Sequence, residues 1–218
     1  MFNDENWIKK LIIGGIISII PFVNFILYGY LIDVIKYSIN GVDNKLPEFN
    51  YFDQFLKGII VLIIFMVPII IFYIIFIVIM LVLFSVSNNS DSLYAIMSIF
   101  MVLAYIILFF GLLVLYLFLF IGITIYADTG NFYSVFNLKK ILKILKNTII
   151  DQIIFFVIYY IILTILTIVV YILALICMVT VILIPVAFWL FGALMYYSFV
   201  TMGYFYGKMY LKGLNKLH

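Results

Sequence analysis

Residues 152–207 read QIIFFVIYYIILTILTIVVYILALICMVTVILIPVAFWLFGALMYYSFVTMGYFYG, without one Asp, Glu, Lys or Arg. As one helix this segment would be about 84 Å long, nearly three times the ~30 Å hydrocarbon core of a bilayer. It must fold back on itself. Its one internal marker is Pro185, a residue favoured in the first turn of a helix. The sequence therefore predicts a turn within 178–184, between spans at 148–178 and 184–208. Residues 178–184 carry no charge and little polarity. Backbone polar groups in lipid must be satisfied internally, so the tip is expected to be tight and near-helical.

Three further stretches are free of charge: 11–32, 58–90 and 92–127. The second and third predict spans at 54–86 and 92–126, joined by a polar turn at 85–92 that contains Asn88, Asn89 and Asp91. The first is ambiguous. Residues 11–20 are too few to cross, Pro21 interrupts them, and the apolar pattern resumes at Phe25 and continues past Asp33 and Lys36. Either one kinked helix crosses at 8–30, or residues 8–39 form a re-entrant or kinked hydrophobic hairpin. Lys9 and Lys10 ahead of residues 11–20 imitate the start of a signal peptide, but Asp4 and Glu5 dilute the charge and no small-residue cleavage site follows. The segment reads as retained.

Lysine placement weighs between the two topologies. With four crossings, all 12 Lys share one side; with five, Lys9 and Lys10 fall opposite the other ten. Cytoplasmic loops collect Lys, so four crossings fit better, and both patterns place the C-terminus in the cytoplasm of a plasma-membrane protein. The expected fold is all-α: a single polytopic membrane domain over 1–218, with four long transmembrane helices, the N-terminal hairpin (alternative: five crossings) and an interfacial amphipathic helix.

Composition supports this class and removes others. Of 218 residues, 69% are hydrophobic and 10% charged, and the mean hydropathy is +1.37. No single water-soluble core hides that much apolar surface. A soluble enzyme, a disordered chain and a nucleic-acid binder are all excluded as expectations. There is no Arg, one Cys (Cys177) and one His (His218), so neither a disulfide nor a zinc site is expected within the chain. Phosphate-cradling glycine loops and H-E-x-x-H are absent. No cofactor, metal or catalytic residue is expected. Asp33, Asp43, Glu48 and Asp53 share one loop and are read as balancing Lys36, Lys45 and Lys57.

Two segments read as surface helices. In 137–147, Lys139, Lys140, Lys143 and Lys146 fall in one arc at helical spacing, with Leu138, Ile141, Leu142, Leu145 and Ile149 opposite. This is a basic interfacial helix whose four lysines are expected in solvent, serving topology or touching anionic lipid headgroups. In 49–57, Phe52, Phe55 and Leu56 oppose Asp53, Gln54 and Lys57. Each segment precedes two spans, which suggests a weak internal repeat. Trp7, Tyr28, Tyr30, Tyr51, Tyr94, Tyr126, Tyr204, Tyr206 and Tyr210 lie near predicted span ends, as an aromatic belt would.

The N-terminal third carries a resemblance. Trp7-Ile8-Lys9-Lys10-Leu11-Ile12-Ile13-Gly14-Gly15 is followed by Ile20-Pro21, Gly29-Tyr30, Leu46-Pro47-Glu48-Phe49 and Lys57-Gly58. This resembles the "domain of unknown function 4013" family of archaeal and bacterial integral membrane proteins, best over residues 6–58. Phe49 and Phe52 stand where the family pattern has Trp, and Asp33 and Lys36 where arginines are common. The resemblance implies a relative and no activity. Physically, Gly14, Gly15 and Ser18 offer a face for close helix approach. Pro47 restrains Leu46, and Glu48 suits the start of the following helix.

Ion-coupled transport usually needs an ionisable group at mid-membrane, and none of the four stretches holds one. Ser98, Tyr105, Tyr116, Thr124, Tyr159, Tyr160, Thr164, Thr167, Tyr171, Tyr196, Tyr197, Ser198 and Thr201 either line a path for a neutral solute or lipid, or bond between and within helices. Gly203 and Gly207, at G-x-x-x-G spacing, read equally as close packing or as a frayed exit. The leading expectation is a non-catalytic scaffold or accessory subunit, with the bilayer, anionic lipid and a membrane-protein partner or second copy as its partners. A transporter or flippase-like path is the alternative.

Overall fold

Long runs of Ile, Leu, Val and Phe leave the backbone no better solution in lipid than continuous helix. The computed structural model describes residues 4–42, 44–87, 91–179 and 183–215. Among these there are six α-helices and no strand: α1 (Trp7–Ile19), α2 (Phe25–Ile39), α3 (Tyr51–Ser87), α4 (Asp91–Thr129), α5 (Leu138–Met178) and α6 (Ile184–Asn215). A short 3-10 helix, Phe132–Phe136, precedes α5. Four helices are long and apolar enough to cross a membrane, over Tyr51–Val82, Ser98–Thr129, Leu138–Met178 and Ile184–Asn215. The break of residues 152–207 falls where Pro185 predicts it, with Pro185 in the first turn of α6. Residues 180–182 of that turn and 88–90 of the polar loop lie outside the described residues, as do Asp43 and His218.

The two expected surface helices are not separate elements. Residues 138–147, capped by Asn137, form the first turns of α5, a single helix of 41 residues. Thr148, at the expected junction, donates its hydroxyl to the Ile144 carbonyl and carries the helix through. Residues 51–57 likewise run straight on into α3.

The chain divides into two compact units, Met1–Leu62 with Ile121–His218, and Ile63–Phe120. In the second, α3 and α4 are antiparallel: Phe65 meets Phe120 and Tyr116, and Phe76 meets Tyr105. A Cβ on Gly111 would strike the Phe72 ring.

In the first unit α6 is the hub, packed by α1, α2 and α5. Small residues set the crossings. On α1, Gly14 lies against Tyr196, and Gly15 against Trp189 and Ala193; Gly192 faces Gly15 and Ser18. These pairings make α1 antiparallel to α6. Gly203 faces Leu31 and Val34, and Gly207 faces Ser38 and Ile35, so α2 runs parallel to α6. It follows that α1 and α2 form an antiparallel hairpin. At 13 and 15 residues each rises only about 20 Å, short of a bilayer core. Pro21 and Phe22, the latter at φ +65°, lie in the turn between them. Gly203 and Gly207 are buried, which resolves their reading as packing residues.

Candidate functional site: polar clusters and a cleft around α6

The resemblance residues meet in space. Lys10, 3% exposed in the wall of α1, donates to Asp4 at 3.0 Å and to the Leu46 carbonyl at 2.8 Å, and pairs with Glu48 at 2.7 Å. Asp4 also accepts from the Leu46 amide at 2.7 Å. Burial opposes charge on Asp4, but bonds from the Leu46 amide, Lys10 and the Asn6 amide outweigh it and hold its carboxyl below the usual range. Burial likewise opposes the Lys10 cation, and Glu48 and Asp4 outweigh it, raising the ammonium above its ordinary value. Glu48 is therefore the second anion of a buried lysine, and the following helix is not its main partner. Tyr30 donates to the Pro47 carbonyl at 3.0 Å and accepts from Tyr196 at 3.0 Å. Trp7 packs beside this core, where Phe49 stacks on Tyr30.

Gly29 and Gly58 serve a second crossing. A Cβ on Gly29 would fall on the Gln54 carbonyl oxygen, and one on Gly58 on the Phe25 carbonyl oxygen. The backbones of α2 and α3 touch there, antiparallel. Beside them Asp33 accepts from Lys57 at 2.7 Å and from Gln54 at 2.9 Å, and Asp53 pairs with Lys57 at 2.6 Å. Gln54, expected on the wet side of its helix, is fully buried, while Phe52 on the expected apolar side is 75% exposed. The reason is the crossing itself: the Gln54 backbone lies against Gly29, so its side chain is enclosed despite its polarity. The expected charge balance is corrected in the same way. Lys57 does pair with Asp33 and Asp53, but Glu48 belongs to Lys10.

The basic segment of α5 has three faces. Ile141, Ile144, Thr148 and Gln152 are buried. Lys139, Lys143 and Lys146 are exposed, as are Leu138, Leu142 and Ile149. Lys140 departs from the expectation that all four lysines are solvated. It donates to the Tyr210 hydroxyl at 2.7 Å, and Tyr210 donates to Asp128 at 2.6 Å, which joins α4, α5 and α6. A further pair, Lys212 with Asp151 at 2.7 Å, closes α6 on α5.

The expected aromatic belt fails at Tyr30, Tyr126, Tyr206 and Tyr210, which are buried along with Tyr196. The missed signal is their helical phase: Tyr196, Gly203, Tyr206, Gly207 and Tyr210 share one face of α6, large beside small. A cleft of about 260 Å³ opens along α6, walled by Val34, Leu46, Pro47 and Val200, with Tyr37, Ser38, Lys45, Tyr197, Thr201 and Tyr204 among its polar lining. No group of three or more His, Cys, Asp or Glu suited to a metal occurs among the described residues.

Four helices long and apolar enough to cross a membrane mark a multi-pass helical membrane protein. The family model described as Protein of unknown function (DUF4013) matches residues 13–179, and the chain belongs to that family. No curated protein and no solved structure matches it.

Proposed function

We propose that the protein is a non-catalytic scaffold or accessory subunit of a membrane assembly, seated in the plasma membrane with its lysine-rich end in the cytoplasm. The destination of the deep hydroxyls carries this reading. Thr164, Thr167 and Thr201 donate to the carbonyls of Tyr160, Leu163 and Tyr197 in their own helices. Tyr159 bonds Ser198, Tyr196 bonds Tyr30, and Ser18 bonds the Gly15 carbonyl. A permeation path needs polar groups free to exchange partners with a solute; these are spent on bonds within and between the helices. Exposed Lys139, Lys143 and Lys146, with Leu138, Leu142 and Ile149 on the adjoining arc, suit attachment to an anionic leaflet.

Two measurements on the full chain test the reading. Cross-linking in native membranes is expected to give a discrete complex of fixed stoichiometry, with a second copy or another membrane protein. Proteoliposomes are expected to move neither fluorescent phospholipid nor neutral solute faster than protein-free vesicles. A monomer that raises either flux would replace the scaffold with a transport path.

A further inference from the structure

The cleft lined by α2, Val42, Lys45, Leu46, Pro47 and α6 goes beyond a scaffold's needs, and we infer that it holds the phosphate end of one anionic lipid. Its depth is right for a headgroup. Tyr197–Tyr204 lies about 20–30 Å along α6 from Ile184, and Lys208 follows one turn later. The cleft is open at Val42 and Tyr204, which are 40% and 37% exposed.

The chemistry of the lining selects an anion. The hydroxyl protons of Ser38 and Thr201 are committed to the carbonyls of Tyr204 and Tyr197. Tyr37, Tyr197 and Lys45 have no hydrogen-bond or ion-pair partner among the described residues, so three donors remain for a ligand. The described residues of the lining include no carboxylate. Glu48, three residues from Lys45, is held by Lys10. A lysine and two phenols with no anion among them match a phosphodiester.

The apolar part of the lining selects an amphiphile. Val34, Leu46 and Val200 are 3%, 6% and 2% exposed and present hydrocarbon to the same space. A free phosphate would gain nothing from them, whereas the glycerol and first methylenes of a lipid bury against them. At about 260 Å³ the cleft takes a headgroup and the start of a chain, and leaves the rest of the lipid in the bilayer.

Native mass spectrometry of the full-length protein, released from nanodiscs of equal phosphatidylglycerol and phosphatidylcholine, tests this. One phosphatidylglycerol is expected to remain bound in preference to phosphatidylcholine. Lys45→Gln, at an exposed loop position, should cut that retention at least fivefold. Thr201→Trp, which fills the cleft, should abolish it. A Lys139→Gln/Lys143→Gln/Lys146→Gln variant should keep it, which separates the cleft from the basic segment of α5. Equal retention of both lipids, or undiminished retention in Lys45→Gln, overturns the inference. Complete displacement by millimolar inorganic phosphate or glycerol 3-phosphate also overturns it, in favour of a soluble-anion site. If Thr201→Trp fails to fold, Lys45→Gln alone decides.

Discussion

At Lys10 a cation is almost wholly withdrawn from water, which is tolerable only because two carboxylates and a carbonyl surround it. Removing the cation strands Asp4, whose side chain is 5% exposed. Lys10→Met is therefore expected to cost about 3 kcal/mol, the usual scale for breaking a buried pair from one side. Glu48→Gln should cost under ~1 kcal/mol, because the Glu48 side chain is 81% exposed and well screened. Thermal melts in detergent compare the two. The same cluster sets a pH response. Asp4 titrates below its unfolded value, so its contribution is present above about pH 4 and is lost as pH falls through the lower, folded value. Lys10 titrates above its unfolded value, so its contribution is complete below about pH 10 and fades above. The melting temperature is expected to drop below pH 4, and Asp4→Asn should remove that part of the drop; an unchanged acid limb in Asp4→Asn would place the sensitivity elsewhere.

Among elements, the α2–α3 crossing is the least forgiving. Gly29→Ala or Gly58→Ala puts a methyl onto a backbone carbonyl that cannot swing aside. Each is expected to cost about 3 kcal/mol or to prevent folding. Gly41 is the control: at φ +73° with nothing within 4 Å, its alanine variant meets only backbone strain, about 1–2 kcal/mol. Equal losses at positions 29 and 41 would show that the helices separate freely. These crossings also mark what the sequence makes legible. The breaks between α3 and α4 and between α5 and α6 follow from charge-free length and Pro185, since lipid leaves the backbone few choices, whereas α5 begins at Leu138 and α6 runs on to Asn215 through lysines. Which side of each helix is enclosed does not follow. In a chain that is apolar all round, hydrophobicity no longer distinguishes protein from lipid, so the pattern points Gln54 outward and Phe52 inward, the reverse of the structure. Glycine phase carries that information instead. The sequence marks Lys10 only as a charge beside Lys9; neither its burial nor its partners Leu46 and Glu48, 36 and 38 residues away, follow from it.

For the whole molecule, the lysine bias predicts one wet, basic end. With Cys177 replaced, single cysteines at positions 89 and 143 in intact cells should react differently with an impermeant maleimide: 89 labelled, 143 protected until the cells are opened. The opposite pattern would invert the protein in its membrane. The hub position of α6 also orders assembly in time. The surfaces of α1 and α2 that rest on α6 leave the ribosome first, yet some 145 residues separate Ile39 from Ile184. At ordinary elongation rates of about 5–20 residues per second, the hairpin waits roughly 7–30 s for its partner. During that interval Gly14, Gly15 and Ser18 face lipid, water or the insertion machinery. Ribosome-stalled chains ending before residue 184 should leave a cysteine at Ser18 open to modification, and chains long enough to release residue 215 should bury it. Biogenesis of this protein thus has a late step, in which the last helix closes around the first.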